Sequence, residues 1–164
     1  MLPSLRPLRP LMLLAGLCFA ALPQPSLAEG VAELRFADLF ARPVGPKGLA
    51  PSARLLALQG QTVRMVGYMA AAELPMPGCL VLTPLPTSLG DEDEHLADDL
   101  PPQAVFVHLS GTAAEKLLPN HAGLLRLQGL LQVGPLEEAD GHVSTVRLWL
   151  DAEHSARLLA PAAL

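Results

Sequence analysis

A chain of 164 residues in which 16 Asp and Glu outnumber 11 Lys and Arg is acidic, with a formal charge of −5. Phosphate backbones are bound by Lys and Arg that release counterions, so this balance argues against a nucleic-acid partner. Two Cys, few aromatics and 17 Pro point away from a disulfide scaffold and toward a core of Leu, Val and Ala held between rigid turns.

Arg6 and Arg9 precede an apolar run from Leu11 to Leu22, and Ser26-Leu27-Ala28 then supplies small residues at the spacing of a cleavage site. That order is a secretory signal peptide over residues 1–28. The run is about a dozen residues where a membrane-spanning helix needs roughly 20, so it predicts export and leaves no transmembrane segment in the mature chain. Acylation at Cys18 is the competing reading, but such signals place a small residue before the Cys and here Leu17 is bulky. Cleavage near Ala28 sends the chain to the periplasm or beyond, takes its formal charge from −5 to −7 with Arg6 and Arg9 gone, and leaves Cys79 as the one thiol. Packing, not a disulfide, must then hold the fold.

Residues 29–60 read as an N-terminal helical segment and loop. Phe36, Leu39 and Phe40 recur at helical spacing between Glu33 and Ala41, Pro43 breaks the pattern, and Ser52 can cap a second helix that ends at Gly60. Residues 61–151 form the main domain. Thr62 to Met69 alternates as a strand with Gly67 as a place to bend, and Cys79 to Thr83 is a buried second strand. A long acidic excursion from Leu85 to Pro102 leads to a third strand, Ala104 to Leu109, with Val105, Val107 and Leu109 on one face and Phe106 and His108 on the other.

Ser110 or Thr112 caps a brief helical stretch through Ala113 to Leu118, which Pro119 closes. A fourth strand from Leu124 to Val133 and a fifth from Val143 to Leu150 flank the turn signal Asp140-Gly141. Asp151 then caps a C-terminal helix over residues 152–164. The predicted class is mainly β with short helices (α+β). Five strands with a helix between the third and fourth match the Greek-key barrel of the oligonucleotide/oligosaccharide-binding (OB) type, flanked by N- and C-terminal helices.

The stretch Leu58-Gln59-Gly60-Gln61-Thr62-Val63-Arg64-Met65-Val66-Gly67-Tyr68-Met69 resembles the opening strand of a family of exported bacterial proteins with no assigned activity. Leu127-Gln128-Gly129-Leu130 and Ser144-Thr145-Val146-Arg147-Leu148 are similar to its later strands. The resemblance runs from about Phe36 to Asp151 and implies an OB-like fold and an exported location. Some relatives carry two Cys two residues apart after the second strand, and this chain has none between Pro84 and Pro102.

No phosphate-binding Gly loop, dinucleotide fingerprint, His-Glu-x-x-His or nucleophile elbow occurs, so no motif nominates a catalytic site and no cofactor is implied. Barrels of this type bind through the second and third strands, which offers Phe106 and His108 as contacts, with Tyr68 and Trp149 as aromatic platforms. Cys79, between Gly78 and Leu80, reads as a core thiol. The acidic run holds hard ligands for a divalent cation, so Asp91, Asp93, His95 and His108 form a candidate metal set. Their spacing is not that of a calcium loop, and a solvated loop is the simpler reading. The leading function is a non-enzymatic, exported binding or accessory protein serving a transporter or other envelope system, with a protein partner and an unspecified small ligand. Divalent-metal handling is the runner-up.

Overall fold

The structure, a computed structural model, describes residues 30–72, 75–89 and 100–160; the signal segment and the candidate ligands Asp91, Asp93 and His95 lie outside these. It is mainly β with two short helices. In chain order come β1 (Ala32–Glu33), α1 (Ala53–Ala57), β2 (Thr62–Met69), β3 (Ala71–Ala72), β4 (Cys79–Thr83), β5 (Ser88–Leu89), β6 (Val105–His108), β7 (Leu124–Glu137), β8 (Val143–Trp149) and α2 (Ala152–Leu159). No helix among the described residues is long and apolar enough to cross a membrane.

The segment expected as a helix from Glu33 to Ala41 is instead β1 followed by a single 3₁₀ turn at Phe36–Asp38. An isolated nine-residue helix is marginal, whereas the edge of β2 offers ready partners. Ala32 and Glu33 pair with Val63 and Arg64, and Leu34 donates its N–H to the Arg64 carbonyl at 2.9 Å, burying the Leu34 side chain. α1 forms as its cap predicts. Ser52 Oγ accepts from Leu55 N–H at 3.0 Å and donates to the Asp38 carbonyl at 2.5 Å, which seats Leu55 in the core.

The main sheet runs β1-β2-β4-β6-β8-β7, and β2 pairs with β7 as well. Each of the five long strands therefore has a neighbour on both sides. β2 is antiparallel to β7 from Thr62–Leu130 to Tyr68–Leu124, while its other edge is shared by β1 and, at Tyr68 and Met69, by β4. β6 and β8 pair in parallel, and β3 with β5 makes a separate two-stranded piece.

Alternation sorts the side chains as expected: Val63, Met65, Leu82, Val105, Val107, Leu131, Val146 and Leu148 fill the main core. β4 is buried on both faces, its Cys79 and Val81 joining Ala70 and Phe106 in a second, smaller cluster. Gly67 is explained by close approach: a Cβ there would stand 2.7 Å from the Thr83 carbonyl and 2.8 Å from the Phe36 ring. β2 passes through it still paired to Leu125.

The helix expected through Leu118 shrinks to a 3₁₀ turn at Gly111–Ala113, and Ser110 makes no side-chain cap; its N–H binds Ser155 Oγ at 2.9 Å. The chain has to turn back there, because Lys116 offers its carbonyl to Gly78 N–H at 2.9 Å. β7 outruns its predicted end by four residues, continuing past a register shift between Val133 and Leu136. That shift carries the β7–β8 hairpin beyond the sheet, to a tip where Glu138 N–H meets the His142 carbonyl at 2.8 Å and Gly141 takes φ +87°.

α2 begins at Asp151, whose carboxylate accepts from His154 N–H at 2.8 Å and lies 2.9 Å from its ring. These contacts, the backbone one first, hold the Asp151 carboxyl below its ordinary value. A folded pKa below the unfolded one means a stabilisation present above roughly pH 4 and lost as the pH falls through the folded value. Urea unfolding should accordingly show Asp151→Ala less stable than wild type at neutral pH, with the gap narrowing on acidification toward about pH 3.

Candidate functional site

Directly paired residues share a face, so the registers lay out the outer side of the sheet rung by rung. One rung reads Leu130, Trp149, His108 and Cys79 across β7, β8, β6 and β4; the next reads Gln132, Arg147, Phe106 and Val81. Of the aromatic and histidine candidates, His108 and Trp149 are brought together: their rings stack at 4.3 Å with planes 17° apart. Trp149 is 40% exposed, and its Nε1 donates to Gln132 Oε1 at 2.8 Å. Phe106, expected as an open contact, is only 2% exposed, because Met76, Leu100 and Ala104 pack over its cluster. Tyr68 stands apart on β2, where it lines a shallow depression with Pro86 and His121.

The hairpin tip folds a polar group onto these rungs. Glu138, a side chain the sequence reading did not single out, is buried with an oxygen 3.3 Å from His108 Nε2. That separation is an ion-pair distance, but the direction is off hydrogen-bond alignment. Ser144 Oγ donates to the Glu138 carboxylate and accepts from Arg147 Nη1 at 2.7 Å. Arg147 Nη1 also reaches the carbonyls of Gly134 at 2.9 Å and Ser144 at 3.1 Å. Burial pulls Arg147 below its ordinary value and the Glu138 charge pulls it back; a guanidinium starts so high that it stays charged. Among the described residues the acid that His108 meets is thus one of the hairpin; the acids of the excursion that precedes its strand lie outside the described residues.

Beside this network, between the ends of β2 and β4 and the hairpin tip, lies a cavity of about 160 Å³. Its walls are apolar, with Met69, Met76, Val81, Leu100 and Leu118, and Asn120, Asp140 and His142 stand among them as polar groups. Asp140 Oδ2 is 3.0 Å from His142 Nδ1, and Oδ1 accepts from His142 N–H at 3.0 Å, a turn that fixes the carboxylate in place. Cys79 lines the cavity too. Burial, aided by the charges of Glu138 and Asp140, pushes its thiol up to about 12, so it stays protonated at neutral pH and is a poor nucleophile. Among the described residues no group of three His, Cys, Asp or Glu is placed to hold a metal ion.

The sequence carried one overlooked signal for this site. Arg147 shares its strand face with Trp149, and on the paired β6 strand that face carries Phe106 and His108, so a charge set among aromatic groups calls for a partner. No protein-family model matches this chain, and no curated protein matches it. Among solved structures it is similar to a DUF3299 family protein from Pseudomonas aeruginosa PAO1, at 14% identity and a TM-score of 0.44, over 73% of this chain and 92% of that one.

Proposed function

We propose that this chain is an exported, non-enzymatic binding or accessory module of the cell envelope, built on an OB-type Greek-key barrel. The barrel reading is supported by β2 pairing with both β4 and β7, and by the single parallel junction, β6 with β8, among the five long strands. The observation that carries the function is the position of the cavity. OB barrels bind on the face of their second and third strands, between the first and fourth connecting loops. Here the cavity lies against β4, with Met76 from the β2–β4 connection on one side and Asp140 and His142 from the β7–β8 hairpin on the other.

Export rests on the order of charge, apolar run and small residues in the first 28 positions. The protonated thiol of Cys79 favours binding over chemistry at this cavity. Two measurements test the proposal. N-terminal sequencing of secreted material should begin at Glu29, and retention of Met1 or a lipid on Cys18 would overturn that part. Affinity capture from the periplasm should yield a defined partner that Met76→Glu bait loses; equal recovery by both baits would move binding away from the cavity.

The metal-handling alternative needs His108 to join Asp91, Asp93 and His95. In the described structure His108 stacks on Trp149 with Nε2 near Glu138, a carboxylate outside that set, and a solvated acidic loop remains the simpler reading. The expected result is therefore no metal-specific stabilisation: melting temperature in calcium or zinc should match that in sodium chloride of equal ionic strength. A real site would add about 2.7 kcal/mol at a hundredfold excess over Kd, and a zinc-dependent rise lost in His108→Ala would promote the metal reading.

A further inference from the structure

We propose that the cavity beside Cys79 takes a small apolar group bearing a positive charge, with the apolar part among Met69, Met76 and Val81 and the cation at Asp140. The proposal rests on the binding reading above and gives it a ligand class.

Size sets the first limit. A cavity of about 160 Å³ compares with an engineered apolar cavity of roughly 150 Å³ that holds benzene, and it falls short of the roughly 300–1,000 Å³ of drug-sized pockets. One ring or one branched aliphatic group fits. Chemistry sets the second: two thioethers, Met69 and Met76, line the wall, and these flexible, polarisable groups adapt to a ring edge.

Charge sets the third limit. Among the described residues no Lys or Arg lines the cavity, and the one formal charge among those that do is the Asp140 carboxylate. Its side chain is 31% exposed, so it faces both the interior and the solvent at the mouth. The His142 backbone N–H holds Oδ1 in position, while Oδ2 lies 3.0 Å from the His142 ring without an aligned hydrogen bond. The field inside has the same sign, since Glu138 and Asp140 both oppose ionisation of the Cys79 thiol. An apolar cation gains in that field and an apolar anion of the same shape loses.

The test uses purified protein with ¹³C-labelled methionine methyls, titrated at low salt with benzylammonium, toluene and benzoate. Met69 and Met76 resonances should shift saturably with benzylammonium while Met65, in the main core, stays fixed. Benzylammonium should bind about tenfold tighter than benzoate. Asp140→Asn keeps the turn's accepting oxygen and should reduce that ratio to about twofold. The blocked dipeptide acetyl-Phe-Lys-amide presents the same chemistry from a polypeptide: tighter binding than benzylammonium assigns the source to a partner chain, and weaker binding assigns it to a free amine. Benzoate binding as well as benzylammonium, or a ratio unmoved by Asp140→Asn, would overturn the charge assignment and leave the binding reading standing. If no probe moves Met69 and Met76 up to about 10 mM, the cavity is not a site and both readings of it fall.

Discussion

Replacing Gly78 with Ala should destabilise the protein by on the order of 3–5 kcal/mol, or prevent folding outright. Gly78 adopts φ +65°, a conformation that costs other residues, and a Cβ there would lie 2.0 Å from the Ala114 carbonyl oxygen and 2.7 Å from Ala114 Cα. Backbone cannot swing aside as a side chain can. Both faces of the glycine are committed, since its N–H binds the Lys116 carbonyl at 2.9 Å and its carbonyl accepts from Leu109 N–H at 2.8 Å. Relief at Ala114 would thus pull on the start of β4 and the end of β6 together. Urea unfolding is the measurement, and Gly48→Ala is the control: φ is also positive there, at +88°, but nothing lies within 4 Å of the new Cβ. The control should lose only the conformational part, about 1 kcal/mol.

Arg147→Met is the second large effect, at about 3 kcal/mol. Arg147 is 2% exposed, and loss of its guanidinium leaves the carbonyls of Gly134 and Ser144 without their donor and Glu138 without the opposite charge. The informative experiment is the double variant. If Ser144 relays Arg147 to Glu138, then Glu138→Gln combined with Arg147→Met should cost less than the two single losses added, by at least about 0.5 kcal/mol. Strict additivity would show that the two charges do not act on each other.

Strands with one buried face were legible because period two is a local signal: Val63 with Met65, and Val105 with Val107 and Leu109, point inward as the alternation requires. The Asp140-Gly141 turn and the Ser52 and Asp151 caps were legible for the same reason, each resting on side chains within three residues. β1 was not, since Phe36, Leu39 and Phe40 do carry helical spacing and only the free edge of β2 outbids it. Nor was the buried state of Phe106. Alternation correctly turned it away from the main core, but its cover, Met76 from the β2–β4 connection with Leu100 and Ala104 from the segment leading into β6, is irregular chain whose folding no period encodes. The Glu138–His108 pair depends on two non-local events, the parallel docking of β8 on β6 and the overrun of β7, and no spacing in the sequence encodes either.

The pairing of β2 with β7 also sets an order of events for a growing chain. Thr62 waits for Leu130, and Phe106 waits for Arg147, so no edge of the sheet is sealed until the last third of the protein exists. Contacts so remote in sequence slow folding, because loop-closure entropy is lost before the contacts return it. A chain cut short before β7 would hold β2 with one side bare, an invitation to pair with a neighbour. If the chain is exported as proposed, that delay is useful: a segment that cannot finish its sheet early stays threadable until its C-terminal part has crossed.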